Sequence, residues 1–247
     1  MRLLNGLVDP LLDPLGDLPA GAHVVQLACG TGGLALALAQ RRPDLRITAI
    51  DIDPVALTTG RADAARLGLT VDFREMSMAA LALDDGSADA IISRMGLFLP
   101  GTAPFGAAAR EAARVLRRGG VLSAAAWPGP DDSPYTRFGT AVLRRFRPVP
   151  NFAAPFAEAG RPGALEGHLT AAGFRDVAAT RFHWDTEYPD FDAWWAFVAE
   201  FGPLAPLFAA VDTADARAAT AEEVRPYRTA AGGYRLPAAA HLLTAHR

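Results

Sequence analysis

The stretch Val24-Val25-Gln26-Leu27-Ala28-Cys29-Gly30-Thr31-Gly32-Gly33-Leu34-Ala35 constrains this chain more than any other. It opens as an apolar run short enough for a buried strand and then breaks into glycines. It resumes as Leu34, Leu36 and Leu38 among alanines and stops before Pro43. A buried strand, a tight glycine turn and a helix make the front half of a βαβ unit. Glycines at such a turn let the backbone approach a ligand, because no Cβ stands in the way. The amides that open the following helix have no partner within it. Further on, Ile47-Thr48-Ala49-Ile50 ends in Asp51, where a carboxylate can take both hydroxyls of a ribose. The stretch therefore predicts an adenosine-cofactor site in a doubly wound α/β fold.

Two cofactors fit the same glycines. Gly30-x-Gly32-x-x-Ala35 matches the dinucleotide fingerprint in its Gly/Ala form, which points to NAD and a Rossmann oxidoreductase. The whole phrase from Val24 to Gly32 resembles instead the first motif of the class I S-adenosylmethionine (SAM) methyltransferases. In that family the strand usually ends in an acidic residue that helps hold the methionyl ammonium group. Gln26 stands at that place here, a departure that removes a charge. The resemblance implies a seven-stranded, mostly parallel sheet with an antiparallel last strand. It also implies that Gln26, Ala28, Gly30, Thr31, Gly32, Asp51 and Ile52 surround the cofactor, with the backbone passing it at Gly32.

The resemblance continues downstream. Asp53 and Pro54 start a helix as N-cap and first helical residue, and Gly68 ends it. Val71 and Phe73 alternate as a third strand. The stretch from Glu75 to Ser93 resembles the family's adenine-binding loop and the turn into strand four. That alignment puts Ser77 at the adenine-binding Asp, with Met78 beside it. A serine contacts the adenine amino group more weakly than a carboxylate. Ser93-Arg94-Met95-Gly96 is similar to a Ser-Arg-Phe-Gly phrase of some small-molecule methyltransferases, which implies that Arg94 or its backbone lies near the sulfonium or the methionine carboxylate. A surface ion pair is the plainer role for Arg94.

Pro104 to Arg118 is alanine-rich and predicts a helix, followed by Gly119-Gly120 and a strand over Val121–Trp127. Val115-Leu116-Arg117-Arg118-Gly119-Gly120 is close to the family's Val-Leu-x-Pro-Gly-Gly, which dehydrogenases do not usually show. Ala172-Gly173-Phe174 resembles the junction into strand six, and 232–246 would close the sheet as strand seven. On these matches the methyltransferase reading is preferred to the NAD reading.

Two stretches remain, 128–162 and 188–231, both rich in aromatics, and both are expected to form a partly helical cap within a single domain spanning 1–247. Trp194, Phe197, Val198 and Phe201 fall at i, i+3, i+4 and i+7, a helix face. Most of these aromatics are expected to be cap core, with a few lining an apolar pocket. Residues 1–22 hold too many prolines for a long helix, so part of the lid that related enzymes place there is missing or supplied elsewhere.

Acid–base candidates are Tyr135, His168 and His183. No convincing set of metal ligands appears, and Asp131-Asp132 reads as a solvated turn. All 24 basic side chains counted as Lys+Arg are arginines, which excludes a Schiff-base lysine and a phosphate-loop lysine. The one cysteine excludes internal disulfides. A net charge of −3 argues against nucleic acid as partner. There is no membrane-length apolar run and no signal-peptide layout, so the expectation is a cytoplasmic monomer or homodimer acting on a small molecule. The expected chemistry is methyl transfer from SAM to an apolar or aromatic acceptor, O-methylation favoured, by alignment and desolvation without metal. The alternatives are lyase or cyclase chemistry that consumes SAM on the same fold, and a protein that binds without catalysis.

Overall fold

The computed structural model describes residues 2–98, 104–127, 134–146, 161, 163–199 and 205–247. Seven strands form one sheet in the order β3-β2-β1-β4-β5-β7-β6. They are β1 (His23–Gln26), β2 (Arg46–Asp51), β3 (Asp72–Glu75), β4 (Ala88–Arg94), β5 (Leu116–Ala126), β6 (Arg175–Tyr188) and β7 (Tyr234–His246). Strands β1 to β5 pair in parallel, and β7 runs antiparallel to both of its neighbours. The architecture is the mostly parallel doubly wound sheet with an antiparallel last strand.

Both faces of the parallel half are covered, which is why its strands read as nearly unbroken apolar runs. On one face Val24, Ile47 and Ala49 pack with α1 (Val8–Leu12), α2 (Gly33–Arg41) and α3 (Pro54–Leu67) through Leu11, Leu34 and Leu57. On the other, Val25, Ile50 and Ile91 meet α4 (Phe105–Val115) and α6 (Ala164–Ala171) through Ala108, Ala112, Leu165 and Leu169. Between them, α5 spans Pro134–Arg144. Helix α3 starts as expected: the Asp53 side chain accepts from the Val55 and Ala56 amides, and Gly68 closes it at φ +66°.

The helix expected over 104–118 is shorter. It ends at Val115, and Leu116 already pairs with Ala88 in the β4–β5 ladder. The register shifts between Ala88 and Ala90, and Gly119 sits at φ +75°, donating its N–H to the Arg247 carbonyl. Ladder pairing and a glycine bulge outweigh the helix propensity of Leu116 to Arg118.

The cap grows from the carboxyl edge of the sheet. Ala126 at the end of β5 pairs with His241, which pairs with Arg181. Beyond them Phe182–Tyr188 and Tyr234–Ala240 continue as a two-stranded ribbon. Pro237 is tolerated because β5 does not reach it. Helices α7 (Phe191–Ala199), α8 (Ala205–Phe208) and α9 (Thr213–Val224) pack against this ribbon with α5 in a separate core of Phe138, Trp194, Val198, Phe208, Ala216 and Leu236. Helix α5 lies against α9, so the two insertions meet in one cap. Phe201 lies outside the described residues.

The segment Arg2–Leu15 folds as short helical turns, with Leu7, Leu11, Leu12 and Leu15 buried against the sheet. Gly6 packs directly on the Trp184 indole, tying this segment to the cap ribbon.

Candidate cofactor site

A cleft of about 200 Å³ opens at the carboxyl ends of β1, β2, β3 and β4. This is where strand order reverses around β1, the place where doubly wound sheets bind ligands. Two non-glycine residues in the left-handed region line it, Ala28 (φ 49°) after β1 and Met95 (φ 65°) after β4. Backbone strain of this kind gathers at functional sites. The two strand ends come together because Gly96 carries no Cβ where Ala28 packs against it.

Gly30, at φ +55°, lines the cleft, and a Cβ placed on it would meet no protein atom within 4 Å. Its missing side chain therefore leaves room in the cleft itself. Its N–H donates to Asp51 Oδ2 at 2.6 Å, and the Asp53 N–H donates to Oδ1 at 3.0 Å. A carboxylate offers about four lone-pair sites, so these two contacts fix its direction and leave acceptor capacity facing the cleft. Cys29, buried behind this loop, has its thiol pushed up to about 12 by burial and by the Asp51 charge, and donates to the Gly30 carbonyl at 3.3 Å. It stays a thiol at neutral pH.

Ile52, Met76, Ser77 and Met78 form the next wall. Ile52 is 59% exposed, unusual for so large an apolar side chain. Ser77 Oγ accepts from the Ala79 N–H at 3.2 Å, which shapes the loop. At the other end lies Arg94. Its guanidinium is largely buried, which lowers its pKa, and Nη1 donates to the Leu4 carbonyl at 3.4 Å. Nη2 lies 3.0 Å from where a Cβ on Gly33 would sit, over the first residue of α2. Among the described residues it makes no ion pair with a carboxylate, so the surface-pair role is not the one observed.

Ala28, Gly30, Asp51, Ile52, Ser77, Met78 and Arg94 thus come together around one cleft, whereas Gln26, Thr31, Gly32 and Ser93 stand outside its lining. Gln26 is buried, and its Oε1 accepts from the Ala35 N–H at 2.8 Å, satisfying an amide in the first turn of α2. A neutral carbonyl does this as well as a carboxylate. Gly32 serves packing: it caps α2 at φ +76°, and a Cβ there would run into the Phe73 ring of β3. Gly30, not Gly32, is where the backbone borders the cleft. The Ser93 hydroxyl donates to the Leu27 carbonyl at 3.2 Å and accepts from the Leu97 N–H at 2.9 Å, holding the turn that places Met95 and Gly96. Thr31 is exposed.

The acid–base candidates do not converge. His168 sits on α6 with its ring edge-on to Phe105 at 5.6 Å, and it does not line the cleft. His183 is on the exposed row of β6. Tyr135 falls in the first turn of α5, and its side chain lies outside the described residues, as do Asp131 and Asp132. Among the described residues no group of three or more His, Cys, Asp or Glu is placed to hold a metal. Nor, among them, is any helix long and apolar enough to cross a membrane. Ile50, Met76, Met95 and Gly96 line the cleft without having been singled out. Their common signal was position, each at or just past the carboxyl end of a strand.

The fold and cleft define an α/β protein of the adenosine-cofactor class. Residues 24–120 match the family described as "Methyltransferase domain". A demethylmenaquinone methyltransferase of Thermus thermophilus is 32% identical over 167 residues, covering 63% of this chain and 75% of that protein. An uncharacterized protein of Mycobacterium tuberculosis is 31% identical over 159 residues, 60% of this chain and 54% of its own length. The chain thus spans about half the length of the mycobacterial relatives it matches. The crystal structure of the cyclase SpnF superimposes with a TM-score of 0.60 at 23% identity, covering 98% of this chain and 80% of that one. The chain belongs to the class I SAM-dependent methyltransferases, and SAM is the cofactor of that family.

Proposed function

We propose that this chain transfers the methyl group of SAM to a small apolar or aromatic acceptor, with O-methylation the favoured outcome. The observation that carries this reading is the order of groups along one cleft: a carboxylate (Asp51), an apolar wall (Ile52, Met76, Met78) and a cation without a carboxylate partner among the described residues (Arg94). These fit the parts of SAM. Asp51 would take the ribose hydroxyls, the apolar wall the adenine, and Arg94 the methionine carboxylate. SAM supplies a methyl group on a positively charged sulfur, already activated for a nucleophile. The chain's own contribution is alignment and exclusion of water. Met95 and Gly96 line the cleft, and Arg94 is held by the Leu4 carbonyl in the segment whose Gly6 packs on Trp184 of the cap ribbon. Among the described residues no histidine lines the cleft, which favours alignment and desolvation over proton transfer. The relative named for demethylmenaquinone supports a small-molecule acceptor.

Two measurements test this. Calorimetry should show S-adenosylhomocysteine binding and no NAD binding; the reverse result overturns the cofactor assignment. The protein is then incubated with methyl-labelled SAM and a panel of phenolic and amine acceptors. S-adenosylhomocysteine and a labelled acceptor appearing together support methyl transfer. Release of methylthioadenosine with no labelled acceptor would show instead that the methionine chain is consumed.

A further inference from the structure

The loop from Met76 to Ser87 forms one wall of the cleft yet has no helix or strand of its own. Its first residue is tied to β2 by the Met76 N–H, which donates to the Asp51 carbonyl at 3.0 Å. Much of the rest is held from α4, by Arg114 and Glu111. Arg114 Nη2 donates to the Leu81 carbonyl at 2.8 Å, and Nη1 donates to the Leu83 carbonyl at 2.8 Å and to Asp85 at 2.6 Å. The Arg114 carbonyl accepts from the Gly86 N–H at 2.9 Å. Glu111, one turn earlier, holds the guanidinium through Nε and Nη2 at 2.8 Å and accepts from the Leu81 N–H at 2.7 Å. The neighbouring guanidinium keeps the Glu111 carboxyl below its usual range. A planar fork with five fixed donors suits such a task, and an ammonium does not. Between these anchors Met78 and Leu81 are buried in the core and Met76 and Leu83 pack against it, so the path of the backbone through Ser77 is fixed from both ends.

We infer that Arg114, braced by Glu111, is a positioning residue for the adenine side of the cofactor cleft: it touches no ligand, and its donors set the loop that carries Met76, Ser77 and Met78. A loop already held in its bound shape costs less ordering when the ligand arrives. The inference rests on the cleft being the SAM site, and the test separates the two ideas. Calorimetry is run on the full chain with S-adenosylhomocysteine and with 5′-methylthioadenosine, which keeps adenine and ribose but has no carboxylate. Arg114→Met should raise Kd for both ligands about ten-fold at unchanged stoichiometry, within the range of mutations that act without touching a ligand. Arg114→Lys should recover part of the loss. Glu111→Gln, which keeps a carbonyl for the Leu81 amide and folds more readily if Arg114→Met does not, should cost about two- to three-fold. Arg94→Gln serves as the contrast, weakening S-adenosylhomocysteine and sparing methylthioadenosine.

A merely structural role for Arg114 would lower the stoichiometry and leave Kd where it was, and that result overturns the inference. So does an effect on S-adenosylhomocysteine alone. Failure of the unaltered protein to bind either ligand would overturn the SAM site itself, and this inference with it.

Discussion

The cleft half of the sheet, from β3 to β4, and the cap half, from β7 to β6, share one ladder and are held by different means. In the cleft half the strands are four to seven residues long, and the backbone between them is set residue by residue. Ala28, Gly30, Gly32 and Met95 all stand in the left-handed region within two strand ends. The cap half has strands of 14 and 13 residues, with one such residue, Asp176 (φ 50°), at the start of β6 and none in the ribbon beyond it. It is held by aromatic packing, with Trp194 edge-on to Tyr188 at 5.1 Å and Trp195 edge-on to Phe208 at 5.6 Å. Surfaces of that kind can be exchanged while volume and pattern are kept. The difference teaches that the cleft end is specified by exact positions and the cap end by volume.

The largest expected effect tests whether the two halves are independent. Trp194 is fully buried in the cap core and absent from the cleft lining. Trp194→Ala should lower stability to urea by about 3–5 kcal/mol, the range for removing a buried aromatic. The affinity of the folded fraction for S-adenosylhomocysteine should hold within about two-fold, since additivity is the rule for sites without shared partners. Loss of cofactor binding along with stability would break the comparison.

Gly32→Val comes next and should differ in kind. The left-handed φ costs a β-branched residue about 1–2 kcal/mol. Pushing the Phe73 ring aside adds about 1–3 kcal/mol. Urea unfolding should therefore show a loss of about 2–5 kcal/mol. Unlike the cap variant, the surviving fold should bind S-adenosylhomocysteine poorly, because Gly32 caps α2 beside Gly30. Near-normal affinity in this variant would mean that the loop tolerates what its geometry forbids.

The same contrast explains what could be read from the residues alone. The strand–turn–helix of Val24 to Ala35 was legible because apolar runs and glycines carry backbone information directly, and so was Asp51 at the end of β2. The division of labour between the glycines was not. Whether Gly30 or Gly32 borders the cleft depends on the Phe73 ring, which a separate strand delivers. Gln26 was assigned to the cofactor by its place in a motif, but its side chain turns inward to the Ala35 amide. A strand's period of two makes neighbours face opposite ways, and the motif does not say which way matters. The helix end at Val115 was hidden because β4 recruits Leu116. In the cap, helical spacing identified Trp194 and Val198 as core, and both are buried. Nothing local said that they would pack away from the cleft.

Asp51→Ala probes the cleft half where its design is chemical. The carboxylate organises the Gly30 and Asp53 amides and faces the cleft. Its removal should weaken S-adenosylhomocysteine binding by about 1–3 kcal/mol, the scale of lost hydrogen bonds to a charged group. Calorimetry reads this directly, and an unchanged Kd would place the ribose elsewhere.

The smallest expected effect falls on the histidines, and it sharpens the comparison most. A general base contributes about 10²- to 10⁴-fold to a rate, so its loss cannot be mistaken for a perturbation of packing. His183 stands on the outward row of β6, between Phe182 and Trp184 that turn inward, so its imidazole faces solvent. His168 packs its ring against Phe105, beside the core that Ile50 and Met78 share, and is not among the residues that line the cleft. Neither borders the cleft. His183→Ala and His168→Gln should therefore each leave the rate of SAM consumption within about three-fold, well below any base effect. A hundred-fold loss in His183→Ala would show that the cap half carries exact chemistry after all, brought to the cleft by a rearrangement of the ribbon, and one in His168→Gln would show that α6 does.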